Sequence, residues 1–189
     1  MPGFLVTDTN SAIKLAFLKE KFFQAGFITA GQATLFRGVV RSEVLRHISG
    51  GHKKRIEDEL NYLKDCAFYR DYEVDDFELT TYQIEFNDKK DEISKANDYV
   101  GTKDNDETLL YLAIVHKQTL ITNEYALKSL AKAMEHPVMS AEDLVLQAFD
   151  ETSLTLVELQ ELVNSWHAKG EHVMSDKVAE FRKRGVIFR

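Results

Sequence analysis

Three very short apolar runs most constrain what this chain can fold into: Phe4-Leu5-Val6, Thr119-Leu120-Ile121-Thr122 and Pro137-Val138-Met139. Each is long enough for a buried strand and too short for a helix. Stretches of helical spacing stand between and around them, over about 11–24, 42–48, 53–65, 106–116, 127–134 and 141–148. Gly26 and the pair Gly50-Gly51 mark stops. Phe68, Tyr72 and Val74 alternate loosely with polar residues and predict another strand. The charged stretch 81–99 predicts one or two exposed helices. Residues 27–41, mixed apolar with two glycines, fit neither period. Strands that alternate with helices build a parallel sheet covered on both faces. The chain therefore reads as α/β with a central parallel sheet.

With 189 residues, 44% of them hydrophobic, there is material for one well-buried domain and not for two ordinary ones. No apolar run approaches the ~20 residues that cross a bilayer, and Phe4-Leu5-Val6 is too short for a signal-peptide core. Cys66 is the only cysteine, which excludes an internal disulfide and zinc-finger spacing. No membrane association and a cytoplasmic location are the expectations. A net charge of −7 argues against broad coating of nucleic acid, but it is compatible with a site that gathers acids around a metal.

Several acids fall at strand ends or helix starts. Asp8 follows the first strand, where an open parallel sheet binds ligands; a helix cap is an equally good reading of Asp8 alone. Glu43 lies on a short helix beside Val44, Leu45 and Ile48. Asp106 opens a helix on the side of Leu109, Leu110 and Ala113, with Asp104 just ahead of it as a cap. Asn123 and Glu124 follow Thr119-Leu120-Ile121-Thr122. Carboxylates forced together repel unless a cation neutralises them. Oxygen ligands without cysteine suit Mg²⁺ or Mn²⁺.

Val6-Thr7-Asp8-Thr9-Asn10, Arg41-Ser42-Glu43-Val44-Leu45-Arg46, Asp106-Glu107-Thr108-Leu109-Leu110-Tyr111-Leu112-Ala113 and Leu120-Ile121-Thr122-Asn123-Glu124 resemble, in order and spacing, the four motifs of the PIN-domain family. That family includes VapC-type toxin-like metal-dependent ribonucleases. In the fourth motif the family usually has aspartate where this chain has Glu124. The resemblance implies a three-layer α/β/α fold over residues 1–150 and leaves 151–189 as a helical C-terminal extension. It implies that Asp8, Glu43, Asp106 and Glu124 form the catalytic, metal-holding cluster, supported by Asn10, Thr122 and Asn123. The implied activity is hydrolysis of RNA phosphodiester bonds by activated water. The implied partners are the RNA and, for the toxin of a toxin–antitoxin pair, a small antitoxin protein. A PIN-like module that binds RNA or protein without catalysis, and a nuclease acting on DNA structures, fit the same motifs.

Arg37, Arg41, Arg46, Lys53 and Lys54 could flank the site and hold phosphates, or form a solvated face. His116 fits a dipole partner at a helix end. Gly26, Gly31 and Gly38 lack any phosphate-loop pattern. In the extension, Leu156, Leu159, Val163 and Trp166 share a stripe behind the capping pair Thr155 and Glu158. That stripe is expected to pack on the domain or on a second subunit of a homodimer.

Overall fold

The computed structural model describes residues 5–16, 33–36, 68–70, 75–96, 101–102, 104–151, 154–168 and 170–188. Glu43, Arg37, Arg41, Arg46, Lys53, Lys54, Cys66 and the helices expected over 42–48 and 53–65 lie outside the described residues. Among the described residues five strands form one sheet: β1 (Leu5–Thr7), β2 (Ala33–Phe36), β3 (Phe68–Arg70), β4 (Thr119–Ile121) and β5 (Val138–Met139). Their order is β3-β2-β1-β4-β5, and every neighbouring pair is parallel. The described helices are α1 (Thr9–Ala16), α2 (Asp76–Ala96), α3 (Asp104–Val115), α4 (Tyr125–Ala133), α5 (Ala141–Asp150), α6 (Leu156–Ala168) and α7 (Val178–Lys183). None of them is long and apolar enough to cross a membrane.

From β1 the chain steps outward to β2 and β3, then returns past β1 to β4 and β5. Crossovers between parallel strands are right-handed, so this reversal puts α1 on one face and α2, α3 and α4 on the other. The packing agrees: α2 and α3 contact α4, while α1 contacts α5. The expected α/β architecture is the observed one. Its core between α2, α3, α4 and the sheet gathers Phe86, Leu109, Leu110, Leu112, Leu120 and Leu127, all at most 1% exposed.

Local departures from the sequence reading have physical causes. Ala33–Phe36 pairs on both sides within the sheet, although four residues between glycines carry too little periodicity to show it. α2 starts at Asp76, ahead of the expected charged stretch. Asp75 Oδ1 caps it by accepting from the amides of Phe77 and Glu78 at 3.0 and 2.9 Å. It is one helix, not wholly exposed, because Phe86 is driven into the core. α3 includes Asp104 as its first residue, so Asp104 lies within the helix and not before it.

Both expected capping boxes are formed. Ser140 Oγ accepts from the Asp143 amide at 2.9 Å, and Asp143 Oδ2 accepts from the Ser140 amide at 3.1 Å. Thr155 and Glu158 make the same exchange. On α6 the buried stripe is Leu159, Leu162, Val163 and Trp166. Leu156 is 45% exposed, because it stands in the first turn and lies over Gly185. A methyl group at Gly185, whose φ is +92°, would meet Leu156 Cδ2 at 3.3 Å.

Trp166 is the anchor of this part of the chain. It is fully buried, its ring packs edge-on against Phe181 at 6.2 Å, and its Nε1 donates to the Lys14 carbonyl at 3.0 Å. Truncating a buried tryptophan removes its contacts and leaves a cavity. Trp166→Ala is expected to cost about 3–5 kcal/mol, and Trp166→Phe about 1 kcal/mol for the lost hydrogen bond, both read from urea unfolding followed by circular dichroism.

Candidate functional site

In a sheet of this order the chain leaves β1 and β4 toward opposite faces. A crevice therefore opens beyond their carboxyl ends. The two strands are held in register by the pairs Leu5↔Thr119, Val6↔Leu120 and Thr7↔Ile121. The Asp8 amide extends that ladder by donating to Ile121 O at 3.1 Å. Asp8 and Thr122 thus emerge side by side, and the Thr122 hydroxyl donates to Asp8 Oδ2. Asp8 Oδ1 accepts from the Ser11 amide at 2.6 Å, which caps α1. The carboxylate that caps α1 also stands at the crevice, so a cap does not exclude a role for Asp8 there.

Asp106, in the first turn of α3, comes close enough to Asp8 to act on its charge. The pKa of Asp8 is raised from 3.8 to about 6, first by burial, which the hydrogen bonds from Thr122 and Ser11 oppose, with the Asp106 charge adding to the rise. Glu124 occupies the N-cap position of α4, yet its side chain is exposed and makes no capping hydrogen bond. Its amide donates to Thr122 Oγ1 at 3.1 Å. Asn10 lies exposed on the first turn of α1. Tyr125, 66% exposed, follows Glu124 at the rim.

Among the described residues no three His, Cys, Asp or Glu side chains gather as a metal cage. Asp106 is near enough for its charge to act on Asp8, and Glu124 follows the adjoining strand end. The donors are all oxygen, and the half-buried Asp8 carries a proton more readily than a free aspartate does. Those properties fit a hard divalent cation, which would compete with that proton.

Asn123, expected as a supporting residue, directs its side chain to groups other than Asp8. Its Nδ2 donates to Glu142 Oε2 at 2.6 Å, and its Oδ1 accepts from the Ala141 amide at 3.0 Å and from Ser11 Oγ at 3.4 Å. Behind it lies a buried ion pair, Lys14 Nζ to Glu142 Oε1 at 2.6 Å, with the two side chains 8% and 0% exposed. Lys14 also donates to His172 O at 2.7 Å, and Glu142 Oε1 accepts from the Met174 amide at 3.3 Å. Sequence reasoning missed Ser11, Lys14 and Glu142. The signal for Glu142 was available: it shares the buried side of α5 with Val145 and Leu146, and an acid on an apolar face requires a partner.

The fold is similar to that of a solved structure described as VapBC2 from Rickettsia felis bound to a DNA fragment from their promoter. The TM-score is 0.50 at 14% identity, covering 72% of this chain and 98% of that one. No family model and no curated protein sequence matches the chain.

Asp8 gives a pH-dependent signature. Its folded pKa lies above its unfolded value, so the native state binds more protons between pH 3.8 and about 6. Stability from this group is intact below that window, falls as pH rises through it, and stays reduced above it. Asp8→Asn, in EDTA, is expected to gain about 1–2 kcal/mol over the parent at pH 7, less than the full shift because the carboxylate is only half-buried. The difference should vanish near pH 4 in parallel thermal melts.

Proposed function

We propose that this protein is a metal-dependent endoribonuclease that hydrolyses RNA phosphodiester bonds. Asp8, Glu43, Asp106 and Glu124 are the residues that would hold Mg²⁺ or Mn²⁺. The observation that carries the reading is the place of Asp8 at the switch point of a parallel sheet, where burial disfavours its ionised form and the charge of Asp106 adds to the effect. Two acids so placed are costly to a fold unless a cation joins them.

When bound, such a cation supplies Lewis acidity, activating water and stabilising charge on the transferring phosphoryl group. The chain's own residues do the rest. Thr122 and the Ser11 amide hold both oxygens of Asp8, fixing the direction of its free lone pairs. Asp106, in the first turn of α3, would supply a second carboxylate. Glu124, exposed and unused as a cap, would accept the proton of the attacking water or join the cluster. Tyr125 offers a flat ring beside it on which an unpaired base can stack, which suits a single-stranded substrate.

The similarity to VapBC2 supports a toxin role within a toxin–antitoxin pair, with a small antitoxin as partner. Residues 1–150 then form the nuclease domain, and residues 151–189 an extension.

Asp106→Asn is expected to leave the melting temperature in EDTA within a few degrees of the parent and to reduce Mn²⁺-dependent cleavage of a single-stranded RNA by more than about 100-fold. Undiminished cleavage by Asp106→Asn, or by the parent protein in EDTA, would refute the assignment. Tyr125→Ala should raise KM several-fold with little change in kcat, measured on the same RNA.

A further inference from the structure

The buried Lys14–Glu142 pair lies outside the acidic cluster, and the proposed chemistry does not use it. Burying two charges seldom stabilises a fold relative to apolar side chains of the same size, so its retention asks for another explanation. Glu142 divides its oxygens between two parts of the molecule. Oε1 faces Lys14 and the Met174 amide; Oε2 receives Asn123 Nδ2 at 2.6 Å. Asn123 is the residue between Thr122, which holds Asp8, and Glu124. It also spans to α1 through Ser11 Oγ and to α5 through the Ala141 amide. The segment 170–174 completes the arrangement from the far side, through the His172 carbonyl on Lys14.

From this geometry we infer that Glu142 is a positioning residue: its Oε2 fixes Asn123, and through Asn123 it sets the relative placement of Asp8 and Glu124. Lys14 and segment 170–174 hold Glu142 in the one orientation that does this. A carboxylate behind a ligand loop works as the outer partners of metal ligands do, by removing the freedom of the inner ones. This inference rests on the metal-binding reading of the site.

Two double variants separate positioning from mere support. Lys14→Met with Glu142→Gln removes both charges and keeps a carbonyl oxygen for Asn123. Lys14→Met with Glu142→Leu removes the charges and the acceptor. Both remove the ion pair and its desolvation cost alike. The probe is Mn²⁺ alone, titrated by calorimetry into the full-length proteins. The Gln form is expected to keep its Kd within about threefold of the parent, and the Leu form to lose about 10- to 100-fold. Equal affinities in the two forms would overturn the inference. Asn123→Ala, with the ion pair intact, provides a second route should the Leu form not fold: it should show the same loss, and parental affinity would equally overturn it. Absence of Mn²⁺ binding by the parent protein would instead refute the proposed function, and the inference with it.

Discussion

The pairing of β1 with β4 is the contact on which the rest of the site depends. Among the described residues three register pairs join these strands, and they put the ends of two segments more than a hundred residues apart in the chain within hydrogen-bond reach. One further backbone bond, from the Asp8 amide to Ile121 O, carries the ladder past the last strand residue. Among the described residues the polar contacts at the crevice are built outward from there: the Thr122 hydroxyl on Asp8, and Asp8 on the Ser11 amide. A slip of one residue in this register would turn every side chain to the opposite face. It would turn Val6 out of the apolar layer it shares with Leu120 and Leu109, and take Asp8 away from Thr122.

Two kinds of burial meet at this edge. The apolar cluster of Phe86, Leu109, Leu110 and Leu127 supplies the driving force for α2, α3 and α4 to cover one face. On the other face, α1 and α5 are tied by a polar system. Lys14, Glu142, Asn123 and Ser11 are linked to one another and to the backbone of 170–174. Such a network adds little net stability and much specificity, because each member has few alternatives once water is excluded. Further acids of α5 extend the attachment: Asp143 pairs with Lys177, and Asp150 with Arg184.

The sequence shows clearly what depends on local pattern. The runs at β1, β4 and β5, the helices that follow them, and the two capping boxes are visible because each is encoded within a few neighbouring residues. The placement of Asp8 and Thr122 at a crevice follows from strand ends alone. β2 was hidden because Ala33–Phe36 is short and flanked by glycines. The partners of Lys14 and Glu142 were hidden because 128 residues separate them, and no local period reports such a contact. Leu156 was assigned to the buried stripe from spacing alone, which cannot tell a first-turn residue from one a turn deeper.

The tie between Lys14 and the carbonyl of His172 spans 158 positions, and the one from Trp166 back to the Lys14 carbonyl spans 152. At a translation rate of ~5–20 residues per second, the lysine leaves the ribosome on the order of ten seconds before its partners exist. During that interval its ammonium group has no interior to enter, and α1 has no tryptophan to lie against. The face of the sheet that carries α1 can therefore close fully only after residues 166–172 have been made. Contacts of such long sequence separation slow folding. Newly made chains thus pass through a stage in which one side is built and the other is open.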